Sequence, residues 1–195
     1  MIQNNSMAET GARDMHMKLK PRNILNVALF SALTAVGAYI CIPLPFSPVP
    51  ITLQTMFTYM AGALLGGNLG ALSQLIYVLL GISGLPIFAG GNTGFWALIG
   101  PTGGYLAGFI AGAFVIGKLV EVKKNPSFLW LVTCMMAGTI LIYALGVVQL
   151  MNWMKIDVKS AIAFGALPFI VGDSLKMLAA AYVIHRIKKA FPTLT

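Results

Sequence analysis

The stretch Val171–Leu178 reads VGDSLKML and lies inside an otherwise apolar run from about Ala161 to Ile184. A run of this length meets the requirement of a bilayer-spanning helix, roughly 20 mostly apolar residues. Its two charges, Asp173 and Lys176, then need a reason, because each charged residue near a span centre costs roughly 2.5–3.5 kcal/mol on insertion scales. Residues three apart share one face of a helix, so the two can pair. A bare ion pair is often no better than apolar packing, which leaves a ligand as the reason for retaining both. Asp173 is read as the only carboxylate in the hydrocarbon region.

Working outward, the composition supports a membrane setting. Of 195 residues, 58% are hydrophobic and 9% charged, and the mean hydropathy is +0.85. Soluble domains carry about 25% charged residues. The reading is an all-α integral membrane protein of about six transmembrane helices, one membrane domain over residues 18–195. Residues 1–17 are a polar tail, disordered or vector-derived, without the apolar core of a signal peptide. The net charge of +8 falls in short Lys/Arg clusters between apolar runs, a topology signal with no basic groove for nucleic acid. Cys41 and Cys134 lie in separate apolar segments, matching no metal site or disulfide framework.

Six apolar runs can be read, about Ile24–Ile42, Ile51–Gly66, Leu69–Ser83, Gly104–Val122, Phe128–Trp153 and Ala163–Ile184. Arg13, Lys18, Lys20 and Arg22 flank the first. Lys118, Lys123 and Lys124 lie between the fourth and fifth, and Arg186, Lys188 and Lys189 follow the sixth. The opposite side carries only Lys155 and Lys159, with Asp157. This bias puts both termini of a multi-pass protein in the cytoplasm. Asp173 then sits roughly 15 Å below the outer start of the sixth run, at 1.5 Å per residue.

Two outer connections are unusual. PLPFSPVP (Pro43–Pro50) is stiffened by prolines that cannot donate helical hydrogen bonds. Between helices 3 and 4 runs GLPIFAGGNTGFWALIGPTGG (Gly84–Gly104), uncharged, Gly-rich and carrying Phe88, Phe95, Trp96 and Ile99. Irregular apolar backbone at membrane depth is tolerated only when buried in protein or lining a cavity, so this loop is expected to fold back over the bundle. Beneath the two loops Asp173 can accept from N–H donors and Lys176 can offset a ligand carboxylate. Asn92, Gln54, Thr52 and Tyr105 complete the polar set. The ligand implied is small, with an amide-like end, an acidic end and an apolar middle set against Phe88 and Trp96.

Enzymatic and nucleotide-driven functions fit poorly. The histidines are His16 and His185, outside the spans, so no His-based dyad or metal site forms within them. No G-x-x-x-x-G-K-[ST] occurs, so separate ATPase subunits would supply any energy. A stand-alone, ion-gradient-driven transporter of a small carboxylate is the rival reading. An Asp in a span is a usual proton carrier, but the matched broken helices common in such transporters are not evident.

PVPITLQTMF (Pro48–Phe57), GLPIFAGG (Gly84–Gly91), GPTGGYLAGF (Gly100–Phe109) and GDSLKMLAAA (Gly172–Ala181) resemble the signatures of the BioY family. These are the biotin-specific S components, or substrate-binding membrane subunits, of energy-coupling factor (ECF) transporters. The resemblance implies six helices, cytoplasmic termini, high-affinity biotin capture from outside and no cofactor. It also implies partnership with a transmembrane coupling subunit and two ABC-type ATPases. By the same analogy Asp173 takes the ureido N–H groups and Asn92 the ureido carbonyl, while Lys176 either meets the valerate carboxylate or orients Asp173. An S component for another vitamin is the nearest alternative. In NVALFSALTAV, Ala28 and Ala32 form a small-residue strip of the kind that lets helices approach in lipid; the resemblance makes it the docking face for the coupling subunit. Asp173→Asn is expected to cripple capture and leave folding largely intact.

Overall fold

A computed structural model describes residues 20–190; the tail, with Arg13, His16 and Lys18, lies outside the described residues. Six helices longer than ten residues form the bundle: α1 (Pro21–Tyr39), α2 (Gln54–Leu65), α3 (Gly67–Ile82), α5 (Gly103–Glu121), α6 (Phe128–Met154) and α8 (Ile170–Ala190). Two short ones, α4 (Trp96–Ile99) and α7 (Val158–Gly165), lie between them. The helix α5, the helix α6 and the segment from α7 through α8 are each long and apolar enough to cross a membrane. At 1.5 Å per residue the 12-residue α2 extends about 18 Å, short of the roughly 30 Å hydrocarbon layer.

Local chemistry sets the helix ends. Ser127 caps α6, its Oγ accepting from the Trp130 N–H at 3.2 Å, and Lys155 in the left-handed conformation (φ 53°) stops it. Asp157 caps α7 by accepting from the N–H groups of Lys159 and Ser160. Between α2 and α3 the single residue Gly66 turns the chain at φ 84°, where a side chain would be strained.

The helices approach closely because glycines face them. On α5, Gly104, Gly108 and Gly112 recur every four residues; a Cβ at Gly108 would stand 2.8 Å from the Ile142 Cα on α6. Such small-residue rows let backbones pack against each other where lipid supplies no hydrophobic drive. On α8 the buried residues Asp173, Met177, Ala180, Ala181 and Ile184 form one helical stripe toward the core. Asp173 therefore points into the bundle.

The structure departs from the sequence reading in four places. First, the proline stretch is an antiparallel hairpin, β1 (Cys41–Leu44) and β2 (Ser47–Thr52), with an irregularity between Ile42 and Leu44. Pro43 falls there, and a two-stranded hairpin tolerates prolines because no further strand needs their missing N–H. Second, the sixth run is not one helix. It breaks at Gly165–Phe169, where Pro168 stands in a short 3₁₀ turn and cannot continue the helical ladder. Asp173 consequently lies in the first turn of α8, about 5 Å along its axis, and not deep within a long helix. Third, of the four large apolar side chains read in the Gly-rich loop only Phe88 is buried, 2% exposed, whereas Phe95, Trp96 and Ile99 are 60%, 80% and 48% exposed. The short α4 has two faces. Ala97 and Leu98 pack inward, Gln149 Nε2 clamps the carbonyls of Leu98 and Gly100, and the larger side chains face out. Fourth, Glu121 is a second helical carboxylate, the last residue of α5.

Candidate functional site

Asp173 and Lys176 form an ion pair of 2.7 Å from Nζ to Oδ1, but the pair is held by more than itself. Thr55, in the first turn of α2, donates to Asp173 Oδ1 at 2.9 Å. Tyr143, midway along α6, donates to Oδ2 at 2.7 Å. Lys176 Nζ also donates to the Thr52 carbonyl at the end of β2 at 2.6 Å and to Thr55 Oγ1 at 3.3 Å. An ammonium has three donors, so Lys176 is fully engaged. A carboxylate offers about four acceptor sites, so Asp173, with three bonds, keeps capacity for one more donor. The aspartate is 3% exposed. With its charge balanced and its oxygens bonded, burial costs far less than for a lone ion. The positive end of α8 adds to that balance, since acids are favoured in a first turn.

The pair lines a pocket with about 560 Å³ of space between atoms, open solvent at its mouth included. Its walls are largely apolar, with Val49 and Pro50 from the hairpin, Phe88 from the Gly-rich loop, Leu106 and Phe109 from α5, and Ile142 and Phe169 opposite. Polar groups are few: Thr52, Gln54, Thr55, Thr102, Tyr105 and Tyr143 beside the ion pair. This is the composition of a small-molecule pocket, apolar walls with a few convergent polar groups.

The sequence-derived residues divide accordingly. Asp173, Lys176, Gln54, Tyr105 and Phe88 all line the cavity. Gln54 is internally satisfied, donating to Tyr77 Oη at 2.6 Å and accepting from Thr52 Oγ1 at 3.0 Å. Tyr105 contributes its ring to the wall, while its hydroxyl donates to the Gly165 carbonyl at 2.6 Å and holds the break before α8. Phe88 packs edge-on against Tyr77, with ring centroids 5.6 Å apart. Asn92 and Trp96 stand outside this cavity. They line an outer hollow that shares Pro50, Phe88, Ala89 and Thr102 with it, and Asn92 Nδ2 donates back to the Ala89 carbonyl at 2.8 Å. Asn92 is displaced because the Phe88–Asn92 bridge turns the loop tip outward. On α1, Ala28 and Ala32 are exposed on the side away from the bundle, while Ser31 between them is buried and donates to the Ser73 carbonyl at 2.6 Å.

Thr55 and Tyr143 were not singled out from sequence. Each carries a signal: a hydroxyl directly after Gln54, and a phenol in the middle of an apolar run, far from either interface where tyrosines usually gather.

A family model described as the BioY family matches residues 12–193. This chain belongs to the BioY family. A BioY relative from Thermotoga maritima, described as a biotin transporter, is 47% identical over 168 residues, covering 86% of this chain and 96% of that protein. One from Rhizobium etli, described in the same way, is 36% identical and covers 90% and 98% of the two chains. A solved structure described as the S-component for biotin from an ECF-type ABC transporter superposes with a TM-score of 0.80. It shares 29% identity and covers 86% of this chain and 91% of its own. The helical membrane architecture expected from sequence is that of an ECF S component; the hairpin between the first two long helices was not expected.

Proposed function

We propose that this BioY protein binds biotin in the Asp173 cavity from outside the cell and serves as the substrate-capture subunit of an ECF transporter. The observation that carries the reading is a buried acidic residue with spare acceptor capacity in a largely apolar cavity, in a chain whose relatives are described as biotin transporters. Biotin's ureido N–H groups suit Asp173, and its thioether ring and valerate chain suit walls of aromatic and aliphatic side chains. With all three donors spent on protein, Lys176 is assigned to orienting Asp173. The valerate then extends toward the outer hollow, where Asn92 and Trp96 border the path.

In this reading the protein is not an enzyme and needs no cofactor. Its termini face the cytoplasm of a cell-membrane protein, and a coupling subunit with two ATPases provides the energy. The exposure of Ala28 and Ala32 on α1 supports that helix face as the docking surface. Mass spectrometry of the small molecule that co-purifies with the protein tests the assignment. Biotin is the expected species, and a different vitamin, or a labelled-biotin titration without saturation, overturns it.

A further inference from the structure

We propose that the hollow at the inner ends of α2, α5 and α8 is a binding site for the phosphate headgroup of an anionic phospholipid. It spans about 1260 Å³ of space, open solvent included, between Leu64, Val120, Glu121, Lys123, Lys124 and Lys188, among other residues. Glu121 is its one lining carboxylate among the described residues, and that charge is already committed. Oε1 accepts from the Gly67 N–H at the start of α3 at 2.8 Å, and Oε2 pairs with Lys118 Nζ at 3.2 Å. Among the described residues the ion pairs are Lys118–Glu121 and Lys176–Asp173. Three lysines, Lys123, Lys124 and the half-buried Lys188, therefore line one hollow without an ion-pair partner among the described residues, and a phosphate supplies the counter-charge.

Two features select a lipid over a free anion. Lys123 Nζ lies 3.9 Å from the ring centroid of Trp130, whose indole N–H donates to the Leu119 carbonyl at 3.2 Å. Tryptophans of this kind mark headgroup depth. The floor is apolar, from Leu64, Leu65 and Val120, and the flanks carry Val122 and Leu129, 71% and 74% exposed. Acyl chains have surface to run along there; inorganic phosphate has no use for it. Basic pockets between membrane helices on the cytoplasmic side hold anionic headgroups in this way. Placing the site on the inner leaflet rests on the orientation proposed above.

The test is lipid retention by the full-length protein in detergent, read by native mass spectrometry with phosphatidylglycerol and phosphatidylcholine as probes. Phosphatidylglycerol is expected to be retained in preference. The triple variant Lys123→Gln, Lys124→Gln, Lys188→Gln should weaken retention about a hundredfold, at roughly one factor of five per lysine. The control pair Lys155→Gln, Lys159→Gln at the other end should leave it unchanged. If the triple variant loses its thermal transition, Lys188→Gln alone carries the test, with about a fivefold loss expected. Equal retention of the two lipids, unchanged retention in the lysine variants, or an equal loss in the control pair overturns the proposal. Displacement of phosphatidylglycerol by millimolar inorganic phosphate also overturns it, assigning the site to a free anion. The readout does not depend on biotin or on orientation, so failure of the capture reading leaves it interpretable.

Discussion

Tyr143, in the middle of α6, donates its hydroxyl to Oδ2 of Asp173 at 2.7 Å, fastening the longest helix to the first turn of the helix that carries the ion pair. A hydrogen bond to a charged group is worth about 1.5–3 kcal/mol, so Tyr143→Phe should destabilise the ligand-free protein by that amount while preserving the cavity wall. A ureido N–H placed on the vacated oxygen restores the bond. Thermal unfolding in detergent should therefore show a larger stabilisation by biotin in the variant than in the parent. An equal deficit with and without biotin would place the ligand elsewhere.

Asp173→Asn removes the charge that balances Lys176. The sequence-based expectation of an intact fold needs revision, because Lys176 then sits nearly buried without a carboxylate, and breaking such a pair costs about 3–5 kcal/mol. Asp173→Asn should lower both stability and biotin binding. The double variant Asp173→Asn, Lys176→Met should recover stability, with binding still absent in a labelled-biotin titration. Recovery of binding in the double variant would show that Asp173 does not contact the ligand.

Much of this was legible in the sequence for a physical reason: in lipid, charged and polar groups are costly enough to stand out. Asp173 and Lys176 announce themselves against an apolar run, and the boundaries of the first five long helices followed the Gly, Pro and Lys punctuation to within a few residues. What escaped were the consequences of local backbone chemistry. Pro168 splits the sixth run and puts Asp173 in a first turn, and the proline stretch, read as merely stiffened, pairs with itself as a hairpin. Thr55 escaped because a threonine hydroxyl in an apolar helix often bonds its own backbone, as Thr34 does to the Phe30 carbonyl at 2.8 Å, and Tyr143 because an aromatic ring in an apolar run reads as packing. Only tertiary packing reveals which hydroxyls reach a carboxylate.

The glycine row on α5 connects packing to the site. A Cβ at Gly108 would meet Ile142 Cα at 2.8 Å, and Ile142 is the neighbour of Tyr143 on α6. Gly108→Ala should push the two helices apart, at a cost of about 1–3 kcal/mol for overpacking. The shift should also weaken biotin binding through Tyr143, whereas Gly84→Ala, in open space, should cost only backbone strain. Comparing thermal stability and biotin titrations of the two variants checks this; unchanged affinity in Gly108→Ala would mean that α6 does not position Asp173.

The exposed face of α1 gives a test of partnership separable from binding. Ala28 and Ala32 point away from the bundle while Val27, Phe30, Ser31 and Thr34 are buried, so a large side chain at either alanine meets nothing within the protein. Ala28→Trp or Ala32→Trp should leave biotin affinity and thermal stability unchanged and yet abolish co-purification with the coupling subunit and its ATPases, because close helix contact in lipid depends on small residues at the crossing. Pull-down from membranes co-expressing the whole transporter, with a biotin titration on the same preparation, reads both quantities. If the tryptophan variants bind the coupling subunit as the parent does, docking uses another face; if they lose biotin instead, this face of α1 supports the cavity.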